Sequence, residues 1–171
     1  MPTENPSIFT YCLVQVLEWE GGYVDSVEDP GGRTAHGISE THHPEAWVDG
    51  VPTKEDAALI YKKDYWEPYR CGDLPPMLAL PVFDAAVNQG RKAGTFLQLA
   101  LAQPHIAVDG IIGERTLLAA RMHTDKRQLL RDFTTYRIKH YSELRHFQHY
   151  WKGWIRRAID MTIKASVFDD R

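Results

Sequence analysis

The chain has 171 residues, 43% of them hydrophobic, with Lys+Arg 20 against Asp+Glu 23 and a net charge of -3. That length suits one domain, or one domain with a small appended part, and can build a core without disulfides or metals as staples. The near-balance of charge gives no global basic field, so nucleic acid is not expected as a partner and any binding groove must be local.

The two cysteines, Cys12 and Cys71, lack CxxC or Cys/His spacing and read as reduced, partly buried thiols. Neither a metal nor a cofactor is expected. No apolar run reaches the roughly eighteen residues of a spanning helix, so stable membrane insertion is not expected. Met1 to Ser7 is polar and proline-containing, without the basic-then-apolar pattern of a signal peptide. Synthesis in the cytoplasm is the expectation, and a substrate beyond the membrane would need a separate route out.

In chain order, Pro6 or Ser7 opens a helix to about Glu20, on which Leu13, Val16, Leu17 and Glu20 recur at helical spacing. This puts a carboxyl on the face the helix buries, where Gly21-Gly22 break the helix. Burial raises a carboxyl pKa, and a raised carboxyl is what protonating a leaving-group oxygen near neutral pH requires. The competing explanation is a solvated Glu at a frayed helix end. From Gly21 to Pro52 the chain is rich in Gly, Pro, Asp and His and reads as an irregular lobe with room for a short β-hairpin. Thr53 and Asp56 look like a helix N-cap pair, and Pro68 ends the helix they open.

Leu74 to Pro76 read as a linker, with Pro81 starting a helix that carries Val82, Phe83, Ala86 and Val87 and stops near Gly90. Phe96, Leu97, Ala100 and Leu101 form another stripe, ending before Pro104. The turn-rich Asp109-Gly110-Ile111-Ile112-Gly113 leads into a helix near Glu114 to Thr116. The longest pattern runs from about Lys126 to His149, and Gly153 separates a terminal amphipathic piece through about Ile163. The fold class expected is mainly α, with one Gly-rich lobe beside the first helix.

Several acids and hydroxyls follow Glu20 within twenty residues: Asp25, Glu28, Asp29, Thr34 and Ser39, interleaved with Pro30-Gly31-Gly32 and His36-Gly37-Ile38. The spacing does not fit a calcium loop, and no lysine sits at the turn to make a phosphate cradle. A plain surface loop is the bland alternative. The ordered set Glu20-Gly21-Gly22-Tyr23, Asp29-Pro30-Gly31-Gly32, Thr34 and Gly37-Ile38-Ser39 resembles the N-terminal signature of glycoside hydrolase family 108, the phage-type N-acetylmuramidases and secretion-activator proteins. Asp84 to Gly90, Leu97-Gln98, Asp109 to Gly113 with Thr116, and Gly153-Trp154 with Arg157 resemble the predicted peptidoglycan-binding region that follows in that family.

The resemblance implies a lysozyme-like helical enzyme in two parts: a catalytic muramidase part over 1-83, and a peptidoglycan-binding part over 84-171 packed with it as one globular unit. It further implies acid-catalysed cleavage of the MurNAc-GlcNAc β-1,4 bond, with Glu20 as the essential acid. Its partner would be the glycan strands of bacterial peptidoglycan, met by a monomer in the periplasm or at the wall. Release would depend on a holin, as for a phage endolysin, or on a secretion system. His36, Ser39 and Arg156 depart from the family's usual residues, and none of these departures removes the carboxylate. A lytic transglycosylase on the same bond, or a non-catalytic peptidoglycan-binding or secretion-helper module, are the alternatives.

Glycosidic cleavage usually needs a second group, roughly 5 to 5.5 Å from the acid in retaining enzymes and roughly 6.5 to 9.5 Å in inverting ones. Asp29, at the turn opening Pro30-Gly31-Gly32, leads over Asp25 and Glu28, although it could simply bond its own turn. Thr34 and Ser39 could instead hold a water. Tyr23, Tyr65 and Trp66 are the aromatic candidates for sugar faces, with Trp47 and Tyr69 behind them, and Asn88 and Gln89 could bond N-acetyl groups. A structural bond between Asp84 and Asn88 toward the Gly-rich lobe competes with that role. His42-His43 and His146/His149 lack a third ligand and read as surface or capping residues, while Lys152, Arg156, Arg157 and Lys164 make the terminal helix basic.

Overall fold

The computed structural model describes residues 7–23 and 32–168. The chain divides into two compact units, Met1–Asp64 and Tyr65–Arg171. Among the described residues there are seven α-helices and one two-stranded sheet, so the protein is mainly α.

In the first unit, α1 (Ile8–Glu20) starts at Ser7, whose hydroxyl accepts from the Thr10 N–H, and ends at Gly21, whose φ of +78° suits glycine. Its buried side chains are Cys12, Leu13 and Val16. Burial pushes the Cys12 thiol up to about 12, so it is an inert core residue. Strands β1 (Thr34–Ala35) and β2 (Ile38–Ser39) pair antiparallel, with Thr34 opposite Ser39 and Ala35 opposite Ile38. The two loop residues, His36 and Gly37, have φ of 52° and 78°, the positive pair that a type I′ hairpin demands. Helix α2 (Lys54–Tyr61) carries the expected reciprocal cap between Thr53 and Asp56, then widens into a π-turn over Lys62–Trp66 before Pro68.

In the second unit, α3 (Pro76–Gln89) is the central helix, buried at every residue from Met77 to Ala86, with α4 (Lys92–Leu101), α6 (Lys126–Ser142) and α7 (Phe147–Ala165) packed on it. Helix α5 (Glu114–Met122) packs on α4. Two expected boundaries move. Pro76, not Pro81, occupies the first helical position, and Pro81 lies inside α3. Its missing N–H leaves the Met77 carbonyl without a helical donor, a local cost that burial of this largely apolar segment overrides. Likewise α6 stops at Ser142, where Glu143 and Leu144 donate to the carbonyls three residues back, and Gly153 falls inside α7. The buried Arg157, Ala158, Met161 and Ala165 share one face of α7 beyond the glycine, and the Tyr150–Trp154 ring stack spans it.

Asp84 is fully buried between Arg137 of α6 and Arg157 of α7. Arg157 donates through Nε and Nη2 to Oδ1 at 2.8 and 2.7 Å. Arg137 Nη2 stands 2.6 Å from Oδ2, an ion pair too poorly aligned to count as a hydrogen bond. The loop after α4 is fixed by Gln98, whose amide nitrogen donates to Asp109 Oδ1 and the Ile111 carbonyl at 2.8 and 2.9 Å. Its oxygen accepts from the Gly110 N–H at 2.8 Å. A β-carbon on Gly94 would stand 2.2 Å from the Gly110 carbonyl oxygen, whereas one on Gly153 would meet nothing within 4 Å. Gly94→Ala should therefore destabilise by at least about 1–3 kcal/mol through overpacking. Gly153→Ala should stabilise by about 0.5–1 kcal/mol by removing a helical glycine. Urea denaturation of the two variants checks the opposite signs.

Candidate active site

The first unit places Glu20 at the last turn of α1, directly against the hairpin turn. A β-carbon on Gly37 would lie 3.1 and 3.2 Å from Glu20 Cβ and Cγ and 2.2 Å from the Tyr61 hydroxyl. The stem of Glu20 and the phenol of Tyr61 thus share the space that any side chain at Gly37 would fill. Three elements, α1, the β1–β2 turn and α2, meet at one residue that must lack a side chain. Glu20 is half-buried rather than fully buried, while Tyr61 is 1% exposed. A half-buried carboxyl on a rigid helix end, its stem held from the side, suits a group that must meet a substrate in one orientation.

The hairpin is clamped at its base. Arg33 donates to Glu40 through Nε at 2.9 Å and Nη2 at 2.6 Å, a two-pronged pair one position outside Thr34 and Ser39. The Arg33 guanidinium also lies 4.9 Å from the centre of the buried Trp47 ring. This pairing holds the Glu40 carboxyl below the usual carboxylate range. Its stabilisation is present above the unfolded carboxyl value and is lost only as pH falls through the lower folded one. The hairpin therefore keeps its clamp at a pH where an ordinary glutamate is already protonating.

Ala35 and Ile38 are buried, so Thr34 and Ser39 lie together on the opposite face of the hairpin. Ser39 is engaged locally, its Oγ 2.7 Å from His42 Nδ1 and accepting from the His42 N–H at 3.2 Å. Tyr23 is 52% exposed, just beyond the glycine pair. A cleft of about 350 Å³ opens beside the helix end, lined by Val14, Leu17, Glu18, Gly21, Gly22, His36 and Lys54. The expected second carboxylate, Asp29, lies outside the described residues, as do Asp25 and Glu28.

The remaining candidates belong to the second unit and are occupied in packing. Trp66 is buried edge-on to Phe83, ring centroids 5.3 Å apart, and Tyr65 is half-buried. Asn88 Nδ2 donates to the Asp84 carbonyl at 2.8 Å, within its own helix. Gln89 Oε1 accepts from Arg137 Nε at 2.7 Å, and its Nε2 is buried with no partner among the described residues. Asp84 is paired with two arginines of its own unit. Among the described residues no group of three His, Cys, Asp or Glu is gathered as a metal site. His43 stands 3.4 Å from Glu45 and 4.0 Å from Asp64. Sequence reading did not single out Tyr61 or the Arg33–Glu40 clamp. The closeness of the two charges across the positive-φ pair His36-Gly37 was the one signal for the clamp, and nothing local marks Tyr61.

Residues 13–90 match the family described as "Glycosyl hydrolase 108", a span that holds both Glu20 and the Gly37 turn. Residues 92–159 match the "Predicted Peptidoglycan domain". No curated protein matches the sequence. Among solved structures, one titled "Structure of Brucella abortus SagA" superposes with a TM-score of 0.80 at 29% identity, covering 95% of this chain and 96% of that one. The fold is thus mainly α and lysozyme-like, and glycoside hydrolysis with peptidoglycan as the substrate follows from the paired matches. Matched to glycosyl hydrolase 108 over residues 13–90 and to the peptidoglycan domain over residues 92–159, the chain is a peptidoglycan hydrolase of the lysozyme-like kind.

Proposed function

We propose that the protein is an N-acetylmuramidase that hydrolyses the MurNAc-GlcNAc β-1,4 bond of peptidoglycan, with Glu20 donating a proton to the leaving oxygen. The observation that carries this reading is the convergence at Gly37, which holds the Glu20 stem at the end of a rigid helix within the family-matched span. As the bond breaks, positive charge develops on the departing sugar, and a second group must either stabilise it or activate water. Asp29 is the proposed carboxylate for that step. Thr34, on the same hairpin face as Ser39, is the proposed water-holding hydroxyl, and Tyr23 the proposed sugar-facing ring.

We assign cleavage to the part spanning 1-83 and wall binding to that spanning 84-171. Action at the cell wall, as an endolysin released through a holin lesion or as an enzyme carried by a secretion route, belongs to the same proposal. Its support is that peptidoglycan lies beyond the membrane and that no helix among the described residues is long and apolar enough to cross one.

Glu20→Gln keeps shape and loses the proton. It should lower release of reducing sugar from purified peptidoglycan, and clearing of permeabilised Gram-negative cells, by about 100-fold or more with an unchanged circular dichroism spectrum. Full activity in this variant would rule out Glu20 as the acid. Gly37→Ala tests the convergence itself. The new methyl meets the Tyr61 hydroxyl at a φ of +78°, so it should cost about 1–3 kcal/mol in urea denaturation and lower activity. Removing the hydroxyl in the double variant Gly37→Ala/Tyr61→Phe should recover part of that loss. Additive effects of the two substitutions would contradict the contact.

A further inference from the structure

Trp66, Phe83, Phe96, Phe133 and Tyr141 of the second unit are buried, but the first turns of α7 are different. Tyr150 is 58% exposed and its neighbour Trp151 is 42% exposed. Tyr150 is not a loose surface ring. It stacks on Trp154 with centroids 5.6 Å apart and planes 30° from parallel. Trp154 stacks in turn on Tyr141 at 5.2 Å and 28°.

The inner end of this three-ring pile is anchored. Arg137 Nη2 donates to the Tyr141 hydroxyl at 3.0 Å, and Arg137 is itself held against Asp84. The Tyr150 ring is therefore held on a support that reaches the buried charge cluster, while more than half of the residue is exposed. The His149 ring stands edge-on to Tyr150 at 6.3 Å, and Lys152 Nζ lies 5.7 Å from the centre of the Trp151 ring.

We propose that Tyr150, backed by Trp154, and its exposed neighbour Trp151 form a platform that holds glycan strands of N-acetylated amino sugars, with no residue in common with those proposed for cleavage. The proposal rests on the reading of the protein as a peptidoglycan hydrolase and extends it to a second site. Pyranose rings present apolar C–H faces, which an aromatic ring already held in place can cover without losing side-chain entropy. The tyrosine hydroxyl and indole N–H at the platform can bond sugar hydroxyls and N-acetyl carbonyls. Lys152 alongside complements the carboxylates that peptidoglycan carries on its muramic acid substituents. The platform lies within residues 92–159, the span matched by the peptidoglycan domain. Ile159 and Ile163, farther along α7, are also exposed, which makes a second copy of the chain the competing occupant.

The test uses full-length Glu20→Gln protein, so that binding is read without cleavage. Tyr150→Ala/Trp151→Ala in this background should pellet with purified peptidoglycan about tenfold less tightly, while Tyr150→Phe and Ile159→Ala remain bound. A soluble N-acetylglucosamine tetrasaccharide should compete with pelleting and alter the tryptophan fluorescence of the parent. Undiminished pelleting of the double variant would overturn the platform. So would failure of the oligosaccharide to compete, or loss of binding that follows loss of a dimer on size exclusion. A parent that does not pellet at all would overturn the wall-binding reading as well. Pelleting that depends on the platform, from a chain whose Glu20 form cuts nothing, would leave the platform standing and remove only the hydrolase.

Discussion

A single buried carboxylate organises the second unit. Asp84 is excluded from water on the central helix and faces two guanidinium groups supplied by α6 and α7. Such clusters add little net stability compared with a well-packed apolar core, but deleting Asp84 would leave two buried guanidinium groups without a counter-charge, at a cost of about 3–5 kcal/mol. Their effect is directional. Three helices can approach only with Asp84, Arg137 and Arg157 in register, and Arg137 then carries that register outward to Gln89 and Tyr141. The aromatic pile on α7 inherits its orientation from there.

The first unit solves a different problem with a different constraint. The carboxyl proposed as the acid must be accessible, so it cannot be fixed by deep burial. Glu20 is instead held by its stem: α1 ends at Gly21, the hairpin turns at His36-Gly37, and Tyr61 closes the remaining space. Gly37 is needed twice, for its positive φ and for its missing β-carbon. The Arg33–Glu40 clamp ties the base of the hairpin, and Arg33 ties it to the Trp47 ring.

Much of the helical order was legible from the chain because caps and stripes are local. Ser7, the Thr53–Asp56 box and the glycine after Glu20 mark boundaries through backbone chemistry alone. What was not legible depended on tertiary burial. Pro81 reads as a helix start, yet it sits inside α3 because packing on all sides outweighs one lost bond. Gly153 reads as a break, yet α7 continues through it, with Tyr150 stacked on Trp154 across the glycine. In the site, Glu20 and its glycine turn were visible as a motif, whereas Tyr61 reaches Gly37 from far along the chain. Asn88 and Gln89 looked like sugar ligands because their types allow it; the Asp84–Asn88 bond was legible as helical spacing, whereas only the fold brings Arg137 to Gln89.

The central claim is that Glu20 drives hydrolysis of a glycosidic bond with muramic acid at the new reducing end. Digestion of purified peptidoglycan in water enriched in oxygen-18, followed by mass spectrometry of the fragments, tests it most directly. The account predicts one labelled oxygen on N-acetylmuramic acid reducing ends with the native chain and no such fragments with Glu20→Gln. Unlabelled anhydro-muramic ends, or label on N-acetylglucosamine ends, would contradict it.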